Sequence, residues 1–167
     1  MGAAEEVRFA RLVREHSGAV GNYLRRRLYP LSPSDLDDLV EETLIVVWRR
    51  IDRVPEDAEL PWMLGVARNV LRNARRSKNR RHEMETRLSL PADAASAEEQ
   101  VIADDNVRRA LEGLSDDDRE ILLLNAWDGL DTHALSAYLV VSTNAAAVRL
   151  SRAQRRFREL LDDSQVS

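Results

Sequence analysis

The sequence has no cysteine, a single lysine (Lys78) and only 5% aromatic residues. Without cysteine the chain cannot form a disulfide, a thiolate zinc site or a thiol nucleophile. No apolar run approaches the roughly 20 residues that a membrane-spanning helix needs, and the N-terminus has no hydrophobic signal segment. With 167 residues, we expect a cytoplasmic protein of one average domain or two small ones.

Residues typical of active sites are also scarce. Six scattered glycines form no glycine-rich phosphate loop. The three histidines, His16, His82 and His133, are far apart and have no neighbouring nucleophile pattern. We therefore predict no catalytic residue, no metal ligand and no cofactor, and we do not expect an enzyme.

Charge is segregated along the chain, although the formal net charge is only −4. One cationic segment runs from Arg68 to Arg81 without an acid, and a second runs from Arg149 to Arg158. Acids cluster at residues 35–42 and 112–120. Blocks of one sign indicate a charged partner. Because phosphate neutralisation supplies most non-specific DNA affinity, an acidic chain with two basic segments is expected to bind DNA only with help.

The spacing of apolar residues is helical nearly throughout and predicts an all-α fold in two small modules. The first module covers residues 1–82 and has helices over Glu5–Tyr29, from an N-cap at Ser34 to Ile51, and from Pro61 onward. A linker covers residues 83–96, and the second module covers residues 97–167.

Two of the first module's helices have predicted inward faces. On the second helix the inward stripe is Leu36, Val40, Leu44, Val47, Trp48 and Ile51, which leaves Leu39, Ile45 and Val46 off the stripe. On the third helix the inward stripe is Met63, Val66, Ala67, Val70, Leu71 and Ala74. The outward stripe of that helix is Arg68, Arg72, Arg75 and Asn79.

The second module contains a predicted helix-turn-helix. Two pairs of residues predict helix N-termini by their capping-box spacing: Ser96 with Glu99, and Ser115 with Asp118. Gly129 predicts the C-terminal end of the helix that Ser115 begins. Two helices follow, one over Thr132–Leu139 and one over Thr143–Leu161 capped by Ser142. Their tight connection is typical of a helix-turn-helix.

Each charged helix allows more than one interpretation. The arginine row of the third helix, interleaved with Asn69 and Asn73, suits phosphates and base edges, but a solvated face or a membrane-surface helix is an alternative. In the terminal helix, residues near its start would lie in the major groove. These base-facing residues are Thr143, Asn144, Ala147, Val148, Ser151 and Arg152, with Arg149 and Arg155 on phosphates. The alternative there is an ordinary amphipathic helix.

The acidic second helix allows three interpretations. Asp38, Glu41 and Glu42 could ligate a metal, form a solvated face, or dock a basic protein partner with help from the aliphatic side chains off the inward stripe. The absence of a second carboxylate helix with facing ligands argues against the metal site, and Leu39, Ile45 and Val46 off the inward stripe lead us to favour docking.

Four sequence motifs follow one another along the chain. They are Asp37–Glu42 with the aliphatic run to Trp48-Arg49, Pro61-Trp62-Met63 with Ala67-Arg68-Asn69, Leu114–Leu124 with Asp128-Gly129-Leu130, and Arg149–Ala153. Their ordered combination, which extends from about Phe9 to Leu161, resembles bacterial RNA polymerase sigma factors, in particular the small extracytoplasmic-function (ECF, group IV) factors.

The resemblance implies a promoter-specificity subunit that binds core RNA polymerase and promoter DNA and has an anti-sigma partner. By the resemblance, the polymerase contacts are Asp38, Leu39, Glu41 and Glu42. The minus-ten contacts are Arg68, Asn69, Arg72, Asn73 and Arg76, with residues 52–59 near a flipped base. The minus-thirty-five contacts include Ala147, Val148, Ser151 and Arg152. Val140 stands where the family's turn usually has glycine.

Two other functions remain as alternatives. An autonomous helix-turn-helix regulator would use only the second module and would bind DNA without polymerase, usually as a dimer. A carboxylate-metal hydrolase would need magnesium and Glu41.

Overall fold

The computed structural model describes residues 2–85 and 104–165, and over these ranges the chain contains only helices, turns and loops. The helices are α1 (Ala3–Arg26), α2 (Leu36–Arg49), α3 (Glu59–Glu85), α4 (Asp105–Glu112), α5 (Asp116–Ala126), α6 (Thr132–Leu139) and α7 (Thr143–Gln165). Two short 3₁₀ turns lie at Pro33–Asp35 and Ile51–Arg53. The all-α prediction is confirmed.

The chain divides into two compact units, Met1–Glu98 and Glu99–Ser167. The predicted linker at 83–96 and the predicted cap at Ser96 and Glu99 lie largely outside the described residues. Within the described part, α3 continues through Glu85, so residues 83–85 are helical. Among the described residues, every helix is too short or too polar to span a lipid bilayer.

The first unit is a three-helix bundle in which α1, α2 and α3 all contact one another. The predicted inward face of α3 is largely confirmed, because Met63, Val66, Ala67, Val70 and Leu71 are buried. Two of its residues, Met63 and Ala67, are completely buried. These side chains supply most of α3's contribution to the core.

The inward face predicted for α2 is confirmed at two residues, the buried Val47 and Ile51, and is wrong for the rest of that helix. Its buried residues are Leu39, Thr43 and Val47, spaced four apart, whereas Val40 and Leu44 are only half-buried. The Thr43 hydroxyl donates to the Leu39 carbonyl at 2.7 Å, and this bond allows a polar side chain to enter the core. Because α2 is apolar over more than half its circumference, the spacing alone could not identify the face that packs inward.

The start of α2 also differs from the prediction at Ser34. The Ser32 hydroxyl accepts the backbone N–H of Ser34 at 3.3 Å, and the backbone N–H of Ser32 donates to Asp35 at 2.8 Å. This reciprocal capping box holds the 3₁₀ turn that precedes α2. Ser32 therefore caps this turn, whereas the N-cap of α2 is Asp35, which makes no side-chain capping bond, so the prediction of Ser34 as the cap is wrong.

In the second unit α7 contacts each of α4, α5 and α6. Leu111, Leu114 and Leu123 form a buried cluster against which Phe157 and Leu160 of α7 pack. The caps at Ser115 and Ser142 are confirmed: each hydroxyl accepts the backbone N–H three residues on, at 3.2 and 3.1 Å. The long terminal helix thus packs against α4, α5 and α6.

The helix-turn-helix is formed by α6 and α7, joined by residues 140–142. Val140 adopts a left-handed conformation, with φ 55° and ψ 50°, and its side chain is 82% exposed. A β-branched residue in this region is strained by about 1–3 kcal/mol. The valine therefore stands at a position whose backbone favours glycine.

Candidate nucleic-acid interface

The residues predicted to contact the minus-ten element lie on one side of α3. Their spacing places residues 68, 69, 72, 73 and 76 on a common face. Arg68 is half-buried, and the other four are exposed. This face combines three guanidinium groups and two amides, and no acid occurs between residues 68 and 81. Such a face suits phosphate oxygens and the polar edges of bases.

Two cations of the same helix point elsewhere. The Arg75 side chain donates to the carbonyls of Arg27 and Tyr29, the second at 3.2 Å, and Lys78 donates to the carbonyl of Pro30. Arg75 and Lys78 therefore hold the loop that follows α1. The prediction that Arg75 belongs to the outward stripe is wrong, because its side chain turns toward the carbonyls of Arg27 and Tyr29 and bonds to them.

The α2–α3 loop, residues 50–58, precedes the basic face. Ile51, Val54 and Ala58 are buried and anchor the loop on the bundle. Its exposed residues include Asp52, Arg53, Glu56 and Asp57. The loop therefore presents a polar outer surface just before the first turn of α3.

Glu59 at the start of α3 is held by arginines of α1. Arg11 donates to both carboxylate oxygens, at 2.7 and 3.0 Å, and Arg8 lies 3.6 Å from one of them. The hydrogen bonds from Arg11 hold the pKa of Glu59 below its usual range, although desolvation opposes that shift. Residues 48 positions apart in the sequence thus fix where α3 begins.

The helices α1 and α2 border an open apolar groove of about 480 Å³. Phe9 and Trp48 meet edge to face at a ring-centroid distance of 4.9 Å. The groove is lined by Phe9, Asp37, Val40, Glu41, Leu44, Ile45 and Trp48. The exposed carboxylates of Asp37, Asp38, Glu41 and Glu42 border or adjoin it.

The residues of α2 that are exposed for docking differ from those that the sequence predicted. Ile45 is 41% exposed, as its place off the predicted inward stripe requires. Leu39 is only 4% exposed, so its predicted position off the stripe is wrong and its side chain belongs to the core. Val40, Leu44 and Trp48, which the sequence placed in the core, line the groove instead.

The predicted base-facing side of α7 is accessible. Thr143, Asn144, Val148, Ser151 and Arg152 are exposed, and Ala147 is half-buried. Ala146 and Ala153 pack inward and are at most 1% exposed. The cations assigned to phosphates, Arg149 and Arg155, are also exposed. The start of α7 therefore offers small and polar side chains flanked by arginines.

One cation of α7 is tied to α5. Arg156 donates to Asp118 at 2.9 Å, and Asp118 is the residue whose backbone N–H the Ser115 cap accepts. A second anchor is Arg119, whose side chain donates to the carbonyls of Leu111, Glu112 and Leu114 at 2.8–3.3 Å. These contacts join the acidic start of α5 to its neighbours in the unit.

Three features of the first unit were missed by sequence reasoning: the groove, the arginines that hold Glu59, and the arginine and lysine that hold the loop after α1. A sequence signal existed only for the groove, where the apolar band of α2 is wider than one inward face requires. The others join residues 46–51 positions apart, and no local pattern reports such pairs.

Comparison with known families gives two matches along the chain. Residues 12–81 match sigma-70 region 2, and residues 104–157 match sigma-70 region 4. The first match covers most of α1, all of α2 and most of α3, and the second covers α4 to most of α7.

Individual relatives agree. The chain is 30% identical to the ECF RNA polymerase sigma factor EcfG of Rhodopseudomonas palustris, over 75% of this chain and 70% of EcfG. It is 28% identical to the RNA polymerase sigma factor NccH of Alcaligenes xylosoxydans xylosoxydans, over 97% of this chain and 91% of NccH. The fold is shared with the sigma factor RpoE of Bartonella quintana, solved with the anti-sigma factor NepR, at TM-score 0.58 and 22% identity over 92% and 96% of the two chains.

Proposed function

The chain belongs to the sigma-70 family of RNA polymerase sigma factors, in its extracytoplasmic-function group, and we propose that its two units divide promoter recognition between them. A sigma factor binds core RNA polymerase and directs it to the promoters of a particular set of genes. The question for this chain is therefore which of its surfaces carries each contact.

The acidic groove of the first unit binds core polymerase. Its floor is apolar, and the carboxylates of Asp37 and Glu41 line it, with Asp38 and Glu42 exposed on the same helix. An apolar groove with an acidic rim fits an amphipathic helix whose flanks are basic. Asp38, Glu41 and Glu42 supply the charge complementarity, and Leu44, Ile45 and Trp48 supply the apolar contact. Leu39 is excluded from the contact because it is buried.

The basic face of α3 binds the single-stranded minus-ten element. Arg68, Arg72 and Arg76 contact phosphates or stack on bases, while Asn69 and Asn73 donate to base edges. The adjacent α2–α3 loop receives a base that has left the stack. The exposure of this face supports the assignment, and so does the engagement of Arg75 and Lys78 elsewhere.

The start of α7 reads duplex DNA at the minus-thirty-five element. The helix-turn-helix presents the first three turns of α7 to the major groove. Thr143, Asn144, Ala147, Val148, Ser151 and Arg152 lie near bases, and Arg149 and Arg155 hold phosphates. Arg156 takes no part in base reading, because Asp118 holds it.

The observation that carries the proposal is the separation of charge: two cationic helix faces and an acidic groove on a chain of net charge −4. Such a chain binds a promoter weakly by itself and needs polymerase to hold both faces on DNA. We further propose that the chain performs no covalent chemistry, that it acts in the cytoplasm, where the polymerase is, and that an anti-sigma protein regulates it.

Transcription in vitro tests the proposal. Purified chain and core polymerase are expected to initiate at specific promoters of a genomic library, and the chain alone is expected to shift none of them in a gel. Sequence-specific binding of the chain alone would favour the autonomous regulator instead.

The docking surface is tested by charge reversal. Glu41→Arg is expected to weaken core polymerase binding by about tenfold or more, because like charges across an interface cost several kcal/mol. Glu6→Arg makes the same charge change at an exposed position of α1 outside the groove and is the matched control. Equal affinity of the two variants would place the polymerase elsewhere.

A further inference from the structure

We propose that Arg8 of α1 is a positioning residue for promoter recognition, because it fixes the shape of the α2–α3 loop. The inference rests on the proposed function in one respect, that this loop receives an unstacked base of the minus-ten strand. Neither Arg8 nor any other residue of α1 was among the predicted DNA contacts.

One guanidinium group joins three points of the loop and its exit. Arg8 Nη1 donates to the carbonyl of Ile51 at 3.1 Å, and Nη2 donates to the carbonyl of Val54 at 2.7 Å. The second nitrogen also lies 3.6 Å from Glu59. The planar fork of arginine can satisfy two carbonyls and face a carboxylate at once, which the single ammonium of lysine does less well.

These contacts divide the loop into an inner and an outer side. Ile51 and Val54, whose carbonyls Arg8 holds, have side chains that are 3% exposed, and Ala58 is 6% exposed. Asp52, Arg53, Glu56 and Asp57 are exposed. The loop is thus bound to the bundle along one edge, and its other edge is exposed to solvent.

The loop's own backbone bonds are local. Arg53 N–H donates to the Arg50 carbonyl at 2.8 Å, and Ala58 N–H donates to the Pro55 carbonyl at 3.3 Å. Each of these bonds closes a single turn. Arg8 contacts the first turn at Ile51 and the connection to the second turn at Val54, so it sets how the two turns are joined.

Arg11 supports this arrangement from one helical turn further along α1. It binds both oxygens of Glu59, which keeps a carboxylate beside Arg8 at the exit of the loop. A loop held in this way loses little conformational entropy when it receives a base. A loop without the hydrogen bonds from Arg8 must be ordered when the base binds.

The experiment measures base preference in reconstituted holoenzyme. The probe is a promoter duplex whose minus-ten non-template strand is single-stranded, prepared with each of the four bases at each minus-ten position. The affinities are read by fluorescence anisotropy. Arg8→Ala is expected to reduce the ratio between the best and worst base at the captured position by about tenfold, with base preference at the minus-thirty-five element unchanged.

Two variants separate positioning from charge and from folding. Arg14→Ala removes the same charge from an exposed position of α1 and is expected to keep the wild-type ratio. Arg8→Lys keeps the charge with fewer donors and is expected to restore part of the ratio. Amide exchange of residues 52–54 and 56–58 is expected to be faster in Arg8→Ala than in Arg14→Ala.

The outcomes distinguish the two levels of the claim. A wild-type holoenzyme with no base preference in the single-stranded element would refute the proposed base capture itself. A wild-type preference that Arg8→Ala retains, whether or not overall affinity falls, would overturn the positioning role and leave Arg8 a purely structural residue.

Discussion

Arg11 of α1 donates two hydrogen bonds to the carboxylate of Glu59, the first residue of α3, at 2.7 and 3.0 Å. The side chain of Glu59 is only 11% exposed, whereas that of Arg11 is 38% exposed. The pair joins the N-terminal helix to the helix that carries the basic face. Its strength therefore bears on both the stability of the first unit and the placement of its DNA-contacting residues.

The first prediction concerns pH and Glu59. Because Arg11 lowers its pKa in the folded state, the unfolded chain binds the proton first as pH falls. The stabilisation is therefore present above the unfolded pKa of about 4.3 and is lost as pH falls through the folded pKa. Glu59→Gln is expected to be less stable than wild type at pH 7, and the difference is expected to vanish in acid.

Urea unfolding followed by the fluorescence of Trp48 and Trp62, in a Trp127→Phe background, measures this difference. Glu6→Gln, at an exposed position, is the control and is expected to follow wild type at every pH. A difference between wild type and Glu59→Gln that stays constant down to pH 3 would contradict the linkage.

The second prediction concerns Val140 in the turn of the helix-turn-helix. Val140→Gly is expected to stabilise the second unit by about 1–2 kcal/mol, because glycine relieves the left-handed strain at φ 55° at some cost in backbone entropy. Hydrogen exchange of α6 and α7 amides is expected to slow by about 5- to 30-fold.

The neighbouring valine provides the matched control for this prediction. Val141 does not have a positive φ, and its backbone N–H donates to Ser136 at 3.0 Å. Val141→Gly keeps this backbone bond and relieves no strain, and glycine gives the unfolded chain more conformational freedom. The variant is therefore expected to destabilise the unit and to speed exchange of the same amides. If both glycine variants destabilised the unit, the strain assigned to Val140 would be absent.

The third prediction separates two arginines three residues apart on α3. Arg72→Ala is expected to weaken binding of the single-stranded minus-ten element evenly across sequences. It is also expected to reduce the salt slope of binding by about 0.7–1, as loss of one phosphate contact requires. Anisotropy titrations of holoenzyme at several salt concentrations give the slope.

Arg75→Ala is the control on the same helix. Its side chain donates to the carbonyls of Arg27 and Tyr29, so its loss is expected to destabilise the first unit by about 1–2 kcal/mol and to change the salt slope by less than about half a unit. A larger slope change for Arg75→Ala than for Arg72→Ala would reverse the two assignments.

The fourth prediction concerns Arg152 on α7. Arg152→Ala is expected to cost about 1–3 kcal/mol at one minus-thirty-five base pair and little elsewhere, if its guanidinium donates to a guanine. Holoenzyme binding to a set of single-base-pair variants of the element measures this. A uniform loss across the set would instead assign Arg152 to the DNA backbone.

Arg156→Ala tests the specificity of that result. Arg156 carries the same charge on the same helix but donates to Asp118 at 2.9 Å. Its removal is expected to leave the base-pair profile of the minus-thirty-five element unchanged. A base-specific loss in this variant would show that the contact with Asp118 breaks on DNA.

The sequence alone was sufficient to predict the all-α architecture and the charged faces of the helices. Helical spacing, the caps at Ser115 and Ser142 and the stop at Gly129 depend on residues within a few positions of one another, so their signals are local. The exposed basic faces of α3 and α7 follow from the same spacing. The special position of Val140 was expected only through the family resemblance, because the turn of sigma factors usually has glycine there.

Only the tertiary structure decided which side of α2 enters the core, and therefore that an apolar groove lies beside the acidic residues. It likewise decided which cations are used within the fold: Arg8, Arg11, Arg75 and Lys78 all bind groups more than 40 residues away along the chain. Helical periodicity reports the angle of a side chain around its own axis. It carries no information about which distant backbone or carboxylate oxygen that side chain meets, since packing of whole helices brings those groups together.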